Sequence, residues 1–321
     1  TTGKPIGDGS PVLKDKRVRQ AINWALDRET LVKRVLNGYG TAASTIIPSL
    51  YSTMHYQPSP DEAYTFNPTK ANQILDAAGY KKGSNGFRVD PKTGKQITLR
   101  LYGRSDSATS KQTVQFVQGW LRDIGLKVDT TIKSEDSLTE IIGNGEYDLF
   151  EWGWVVEPDP DYQLSTMTCA QRSTGTKAGN YTAGLSDSFY CNKQYDDLYN
   201  LQKTQVDVNA RAQSVKAAQK LVYDDAPYAM TFYYDDVEAY RTDRFTGFIP
   251  QPKPNGSYLF QYGVWSYRNI RPVAETSSSS SSDDGGGSNT GVWIAVIAAV
   301  VVVGGGVAFA VRRRSSADDR E

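Results

Sequence analysis

Apolar and polar residues recur along this chain with two distinct periods. Val18, Ala21, Ile22, Ala25 and Leu26 fall at the three-and-four spacing that places them on one face of a helix. Asp27 is placed to cap a second helix through Leu31, Val32 and Val35, which Gly38 can end. Beyond a loop containing Pro48, Pro58 and Pro60, Asn67-Pro68 opens a third helix, TKANQILDAAGY, stopped at Gly79. Residues 95–102 (KQITLRLY) change to strict alternation, the period of a half-buried strand. A helix over 111–124 then ends before Gly125, and a strand covers 126–132. A short helix near 138–142 leads into a strand over 147–154. Strand, helix, strand, helix, strand in that order predicts an α/β layer with parallel pairing. Two more helices follow, 194–205 and 208–223, the second capped by Asp207, and then a strand over 229–240. Residues 245–271 are rich in Pro, Gly and aromatics and show no period.

The end of the chain abandons both periods. Residues 274–291 contain ETSSSSSSDDGGGSNTG, with almost nothing apolar to bury, and read as a flexible linker. From Val292 to Val311 the chain is unbroken in its apolarity, about the ~20 residues that cross a bilayer core. Arg312, Arg313 and Arg314 follow at once, whereas residues 274–291 hold no Lys or Arg. The positive-inside rule then predicts a single-pass transmembrane helix, a cytoplasmic tail over 312–321, and an extracellular module before it. The opening, TTGKPIGDGS, carries no signal segment. An extracellular module without one implies either a removed leader or an N-terminal part not contained in this chain.

Composition narrows the function classes. Thirty-six Lys and Arg balance thirty-six Asp and Glu, so no basic field exists to hold nucleic acid. Cys169 and Cys191 most simply form one disulfide closing a polar loop, with two free thiols as the alternative. His55 is the single histidine, which rules out a zinc site of ordinary spacing and any Ser-His or Cys-His nucleophile system. No glycine-rich phosphate loop follows a strand. Glu157 and Asp159 could be imagined as a glycosidase pair, but two acids so close in sequence and separated by Pro158 rarely face each other across a substrate. A binding protein is expected, not an enzyme, with no cofactor and no metal. Two sequons, at Asn180 and Asn255, are discounted as chance matches.

Three segments carry a resemblance. KDKRVRQAINWALDRETLVKRVLNGYG, NPTKANQILDAAGY and GEYDLFEWGWVVEPDPDY, in that order and spacing, look like the extracellular solute-binding proteins (family 5) of peptide-type ABC importers. The likeness runs from about Val12 to Val264. It implies an α/β, periplasmic-binding-protein-like fold of type II: two lobes that close over a peptide, dipeptide, nickel complex or oligosaccharide and deliver it to an ABC permease. In that family the first segment stands near the middle of the mature protein. The resemblance therefore implies mostly the second lobe over residues 1–232, and a return segment into the first lobe over 233–273. Ligand binding by this chain alone should be weak or absent.

The same resemblance points to site residues. Glu157 matches the acid that takes a peptide's α-ammonium group, as Glu in place of the commoner Asp, and Trp154 matches the tryptophan lining the pocket. Asp159 is a further ligand candidate, with a turn-stabilising role between Pro158 and Pro160 as its alternative. Tyr233 and Tyr234 stand where the chain would recross between lobes, so one of them could face the cleft, with core or hinge packing as the alternative. Members of the family often carry a disulfide after the Asp-Pro-Asp turn, where Cys169 and Cys191 lie. The expected function is membrane-anchored capture of peptides for import; the alternatives are a membrane-tethered solute sensor and a binder of oligosaccharides.

Overall fold

Helix starts in this chain are set by short polar side chains that take otherwise orphaned amides. The computed structural model describes residues 7–175, 181–182, 184–251, 253–254, 256–259 and 263–273. Helix α1 (Lys16–Ala25) begins at Asp15, whose carboxylate accepts from the Arg17 amide at 2.9 Å. Asp27 caps α2 (Arg28–Arg34) by accepting from the Thr30 amide at 3.0 Å. After β1 (Gly40–Ala42), Asn67 caps α3 (Pro68–Ala77), with Pro68 in the first helical position where no amide is missed. Gly79 turns the chain out of α3 at φ 91°, a backbone angle that a side chain would strain.

The central layer follows. Strand β2 (Thr98–Arg104), α4 (Ala108–Asp123), β3 (Lys127–Lys133), α5 (Glu135–Asn144) and β4 (Leu149–Phe150) form a three-stranded sheet in the order β3-β2-β4. Both pairings are parallel, with Leu101 opposite Thr130 on one side and Leu149 on the other. Leu99 and Leu101 point into the main core with Leu121, Ile124 and Leu126, against Val18, Ala21 and Ile22 of α1 and Leu75 of α3. Each large side chain buried there contributes about 1.5–3 kcal/mol. Arg88, fully buried, joins α3 to the end of α4 by donating to the Ile124 carbonyl at 2.7 Å and to Asn72 Oδ1 at 2.6 Å.

The rest of this part packs a second core. Helix α6 (Asp161–Ser165), strands β5 (Thr174–Gly175) and β6 (Tyr181–Thr182), and helices α7 (Lys193–Thr204) and α8 (Val208–Asp225) lead to β7 (Phe232–Tyr234). Leu164, Met167, Tyr195, Val215 and Val222 pack with Ile46 and Ile47, and the Tyr195 hydroxyl donates to the Leu164 carbonyl at 2.6 Å. Asp207 caps α8, as expected. Strand β7 pairs antiparallel with β1, Thr41 opposite Tyr233.

Two of the predicted strands are shorter than the sequence pattern suggests. The run 147–154 yields a ladder only at Leu149–Phe150, opposite Leu101 and Tyr102 of β2, and the Glu151 amide makes the last bond to that strand, donating to the Tyr102 carbonyl at 2.9 Å, before the chain leaves the sheet. The run 229–240 is strand only at Phe232–Tyr234, where the three-residue β1 supplies a partner. Hydrophobic period marks which residues could be extended; the partner decides which are.

A second compact unit begins at Glu238, after a first that ends at Val237. In it β8 (Phe245–Thr246) pairs antiparallel with β9 (Arg271–Pro272), and α9 (Val264–Asn269) precedes β9. The buried Ser266 hydroxyl accepts from the Ile249 amide at 2.8 Å and donates to its carbonyl at 3.1 Å. The linker 274–291, the apolar run 292–311 and the tail 312–321 lie outside the described residues, as do Asn180 and Asn255. Among the described residues no helix is long and apolar enough to cross a membrane.

Candidate functional site

Parallel strands present their carboxyl ends together, and in this sheet those of β2 and β4 end side by side. The edge is polar. Arg104, the last residue of β2, pairs with Glu151 just past β4 at 3.2 Å, and its guanidinium lies over the Trp152 ring at 5.2 Å. Both side chains of the pair are mostly buried, at 17% and 10% exposure, so their mutual neutralisation matters more than at an open surface. Tyr234 stands nearby: burial first, and then the Glu151 carboxylate, raise its phenol above the ordinary value.

From Glu151 the chain leaves the sheet without regular structure as far as Pro158. Trp154 is half-buried, and its indole N–H donates to Asp187 Oδ2 at 3.0 Å. The ring also meets Tyr162 edge-on, 6.2 Å between centroids. Val155 is exposed, and the Val156 carbonyl accepts from the Tyr51 hydroxyl at 3.2 Å. Glu157 follows, half-buried, as the strand-end segment enters its turn.

The two later acids are bound into the scaffold. Arg211 of α8 grips Asp159 with both terminal nitrogens, each at 2.7 Å, and this holds the Asp159 carboxyl below its usual range. Asp159 Oδ1 also accepts from the Asp161 amide at 2.9 Å, starting α6, and Asp161 accepts from Gln202 Nε2 at 2.8 Å. These contacts tie Asp159 to α8 and to the start of α6. Tyr233 is similarly committed. Its hydroxyl accepts from the amides of Ser44 and Thr45 at 3.2 and 3.0 Å and donates to the Thr45 carbonyl at 2.7 Å. Tyr234 is 55% exposed and packs edge-on against Phe232. The structure thus brings Trp154, Glu157 and Asp159 into one segment and leaves Tyr233 tied to the loop after β1.

Cys169 and Cys191 form a disulfide, with Cα atoms 4.4 Å apart. The loop that it closes carries Asp187, a residue that sequence reasoning passed over. The Asp187 carboxylate accepts from Trp154 and, at 3.5 Å, from the Tyr228 hydroxyl, while its backbone carbonyl accepts from the Tyr147 hydroxyl. Burial pushes its carboxyl up to about 6, against the opposing effect of the hydrogen bonds from Trp154 and Tyr228. One acid in a polar loop carries no sequence signal of this kind. Arg104 could have been found, as a charge at the carboxyl end of a predicted strand. His55 is buried, with Nδ1 2.7 Å from the Ile47 carbonyl.

Residues 5–175 match the family described as bacterial extracellular solute-binding proteins, family 5, middle part. The glutathione-binding protein GsiB of Escherichia coli (strain K12) is 27% identical over 249 residues, which cover 75% of this chain and 44% of GsiB. The chain thus spans less than half the length of the curated relatives it matches. Among solved structures, the oligopeptide-binding protein AppA of Bacillus subtilis, in complex with a nonapeptide, is 26% identical with a TM-score of 0.61, over 70% of this chain and 43% of AppA. NikZ of Campylobacter jejuni, in complex with Ni(L-His), is 22% identical with a TM-score of 0.64, over 81% of this chain and 49% of NikZ, a likeness of fold.

Proposed function

The chain belongs to the bacterial extracellular solute-binding proteins of family 5, and on that premise we propose that it serves as the solute-capturing part of a peptide-type ABC importer. It works by binding and not by catalysis. The observation that carries this reading is the segment leaving the carboxyl edge of the β3-β2-β4 sheet, which holds Trp154 and Glu157 three positions apart. Open α/β sheets take ligands at this edge. Trp154 supplies an aromatic wall, and Glu157 supplies a carboxylate for the free amino terminus of a peptide. Asp159 and Arg211 fix the turn that presents Glu157.

Residues 1–232 are read as the second lobe, 233–273 as the return segment and 274–291 as a spacer. The run 292–311 anchors the module to the membrane, and 312–321 lie in the cytoplasm. Tethering keeps the captured peptide close to the permease that receives it, by raising its effective concentration there. The resemblance of AppA, solved with a nonapeptide, supports a peptide as the solute.

The test is calorimetry on the chain with trialanine, N-acetyl-trialanine and maltohexaose at up to millimolar concentration. Free trialanine should bind weakly, the acetylated form more weakly still, and Glu157→Gln should erase the difference. Losing one partner of a buried charge pair costs about 2–5 kcal/mol. Equal binding of the free and acetylated peptides to the unmodified chain would sink the amine assignment. Binding of maltohexaose alone would replace the peptide with a sugar stacked on Trp154.

A further inference from the structure

Asp187 is a partly buried carboxylate whose side-chain partners, Trp154 and Tyr228, are neutral donors. Among the described residues no Lys or Arg forms an ion pair with it. The groups that face it come from three elements. Trp154 reaches it from the segment after β4, and Tyr228 from the segment after α8. Tyr147, preceding β4, takes its backbone carbonyl. The two titratable neighbours, Tyr147 and Tyr228, have phenols raised by burial and by the Asp187 charge, so they remain neutral donors. A buried ion with neutral neighbours alone is disfavoured. Proteins keep such groups mainly where they act.

The loop that carries it is fixed at several points. Four residues beyond Asp187, Cys191 is bonded to Cys169. The adjacent Ser186 amide donates to the Gln171 carbonyl at 2.8 Å. Phe189 adopts φ 54°, in the left-handed region, and stacks on Tyr147 at 6.4 Å. The carboxylate is thus presented from a constrained loop, and its Oδ2 meets the indole N–H of Trp154.

We propose that Asp187 is a positioning residue for Trp154: its carboxylate, fixed by the disulfide-closed loop, sets the orientation of the indole at the carboxyl edge of the sheet. An indole ring has a single N–H, and capturing it fixes the rotation of the ring about its side-chain bonds. The face turned to a ligand is then chosen before the ligand arrives, which spares the cost of ordering it on binding. This rests on the reading of Trp154 as a wall of the peptide site, but the positioning itself needs no ligand to be seen.

The experiment follows the indole ¹H–¹⁵N signals of the full chain from pH 4.5 to 7.5, with the Trp154 signal assigned by its loss in Trp154→Phe. The Trp154 signal should move with a midpoint near pH 6, following the Asp187 carboxyl. In Asp187→Asn, which retains an acceptor, the signal should stay at a hydrogen-bonded position and cease to titrate. In Asp187→Ala it should move to the free-indole position, and trialanine affinity should fall by about tenfold, as expected when a half-buried donor loses its acceptor, with Asp187→Asn rescuing most of the loss. A Trp154 signal indifferent to pH and to both substitutions overturns the proposal. A signal that behaves as stated while trialanine binds all variants alike leaves the positioning intact and overturns the peptide-site reading instead.

Discussion

Replacing Asp187 by Asn should make the protein more stable at neutral pH, the reverse of what removing a hydrogen-bonded buried residue usually does. Asn keeps an oxygen for the Trp154 indole and the Tyr228 hydroxyl, now at 3.0 and 3.5 Å from Asp187 Oδ2, and deletes only the charge. The folded carboxyl is raised from 3.8 to about 6. Between those values the folded state therefore binds more protons than the unfolded one. The stabilisation that protonation gives is fully present below about pH 4 and is lost as pH rises through 6. At about 1.36 kcal/mol per unit, a shift of roughly two units makes the ionised group cost at most ~3 kcal/mol, and partial solvent access reduces this to about 1–2 kcal/mol.

For a chain of this size that corresponds to a rise in melting temperature of roughly 2–8 °C. Thermal melts of wild type and Asp187→Asn by circular dichroism, at pH 7.5 and pH 4, measure it directly. The difference should be present at pH 7.5 and close to nothing at pH 4. A variant that melts lower than wild type at pH 7.5 would show that the carboxylate contributes to stability as an ion, and a gap of equal size at both pH values would show that the charge is not its cause.

The disulfide should protect both thiols of Cys169 and Cys191 from alkylation in the unreduced, denatured chain. Its reduction should cost about 3 kcal/mol by the chain-entropy estimate for a loop of 22 residues; labelling of both cysteines without reductant would contradict the pairing. Arg211→Met should free Asp159 and loosen the turn before α6 while lowering stability by no more than ~1 kcal/mol, because Asp159 is 58% exposed. A larger loss on chemical denaturation would mean that the pair organises more than the turn. Protease added to intact cells should release the soluble module by cutting within 277–287, and survival of the module until lysis would reverse the proposed topology.

The helices were legible because their signals are local. Asp27, Asn67 and Asp207 announce helix starts through contacts made within three residues, so the sequence alone holds both partners of each bond. The parallel layer was legible in order, since alternation and helical period succeed one another from residue 95 onward. What alternation could not convey was how much of each strand finds a neighbour: β4 keeps two residues of the eight expected, and β7 three of twelve. The site divides along the same line. Trp154 and Glu157 stand out from their own segment, whereas the roles of Asp159 and Asp187 depend on residues 52 and 33 positions away. An acid between two prolines reads alike whether it faces a ligand or an arginine on a distant helix. Asp159 meets Arg211, and Asp187 meets Trp154, across distances the sequence does not display. The informative acid therefore lay in the loop that composition marked as plain and polar, because burial, which gives a carboxylate its chemistry, is a property of what the rest of the chain packs around it.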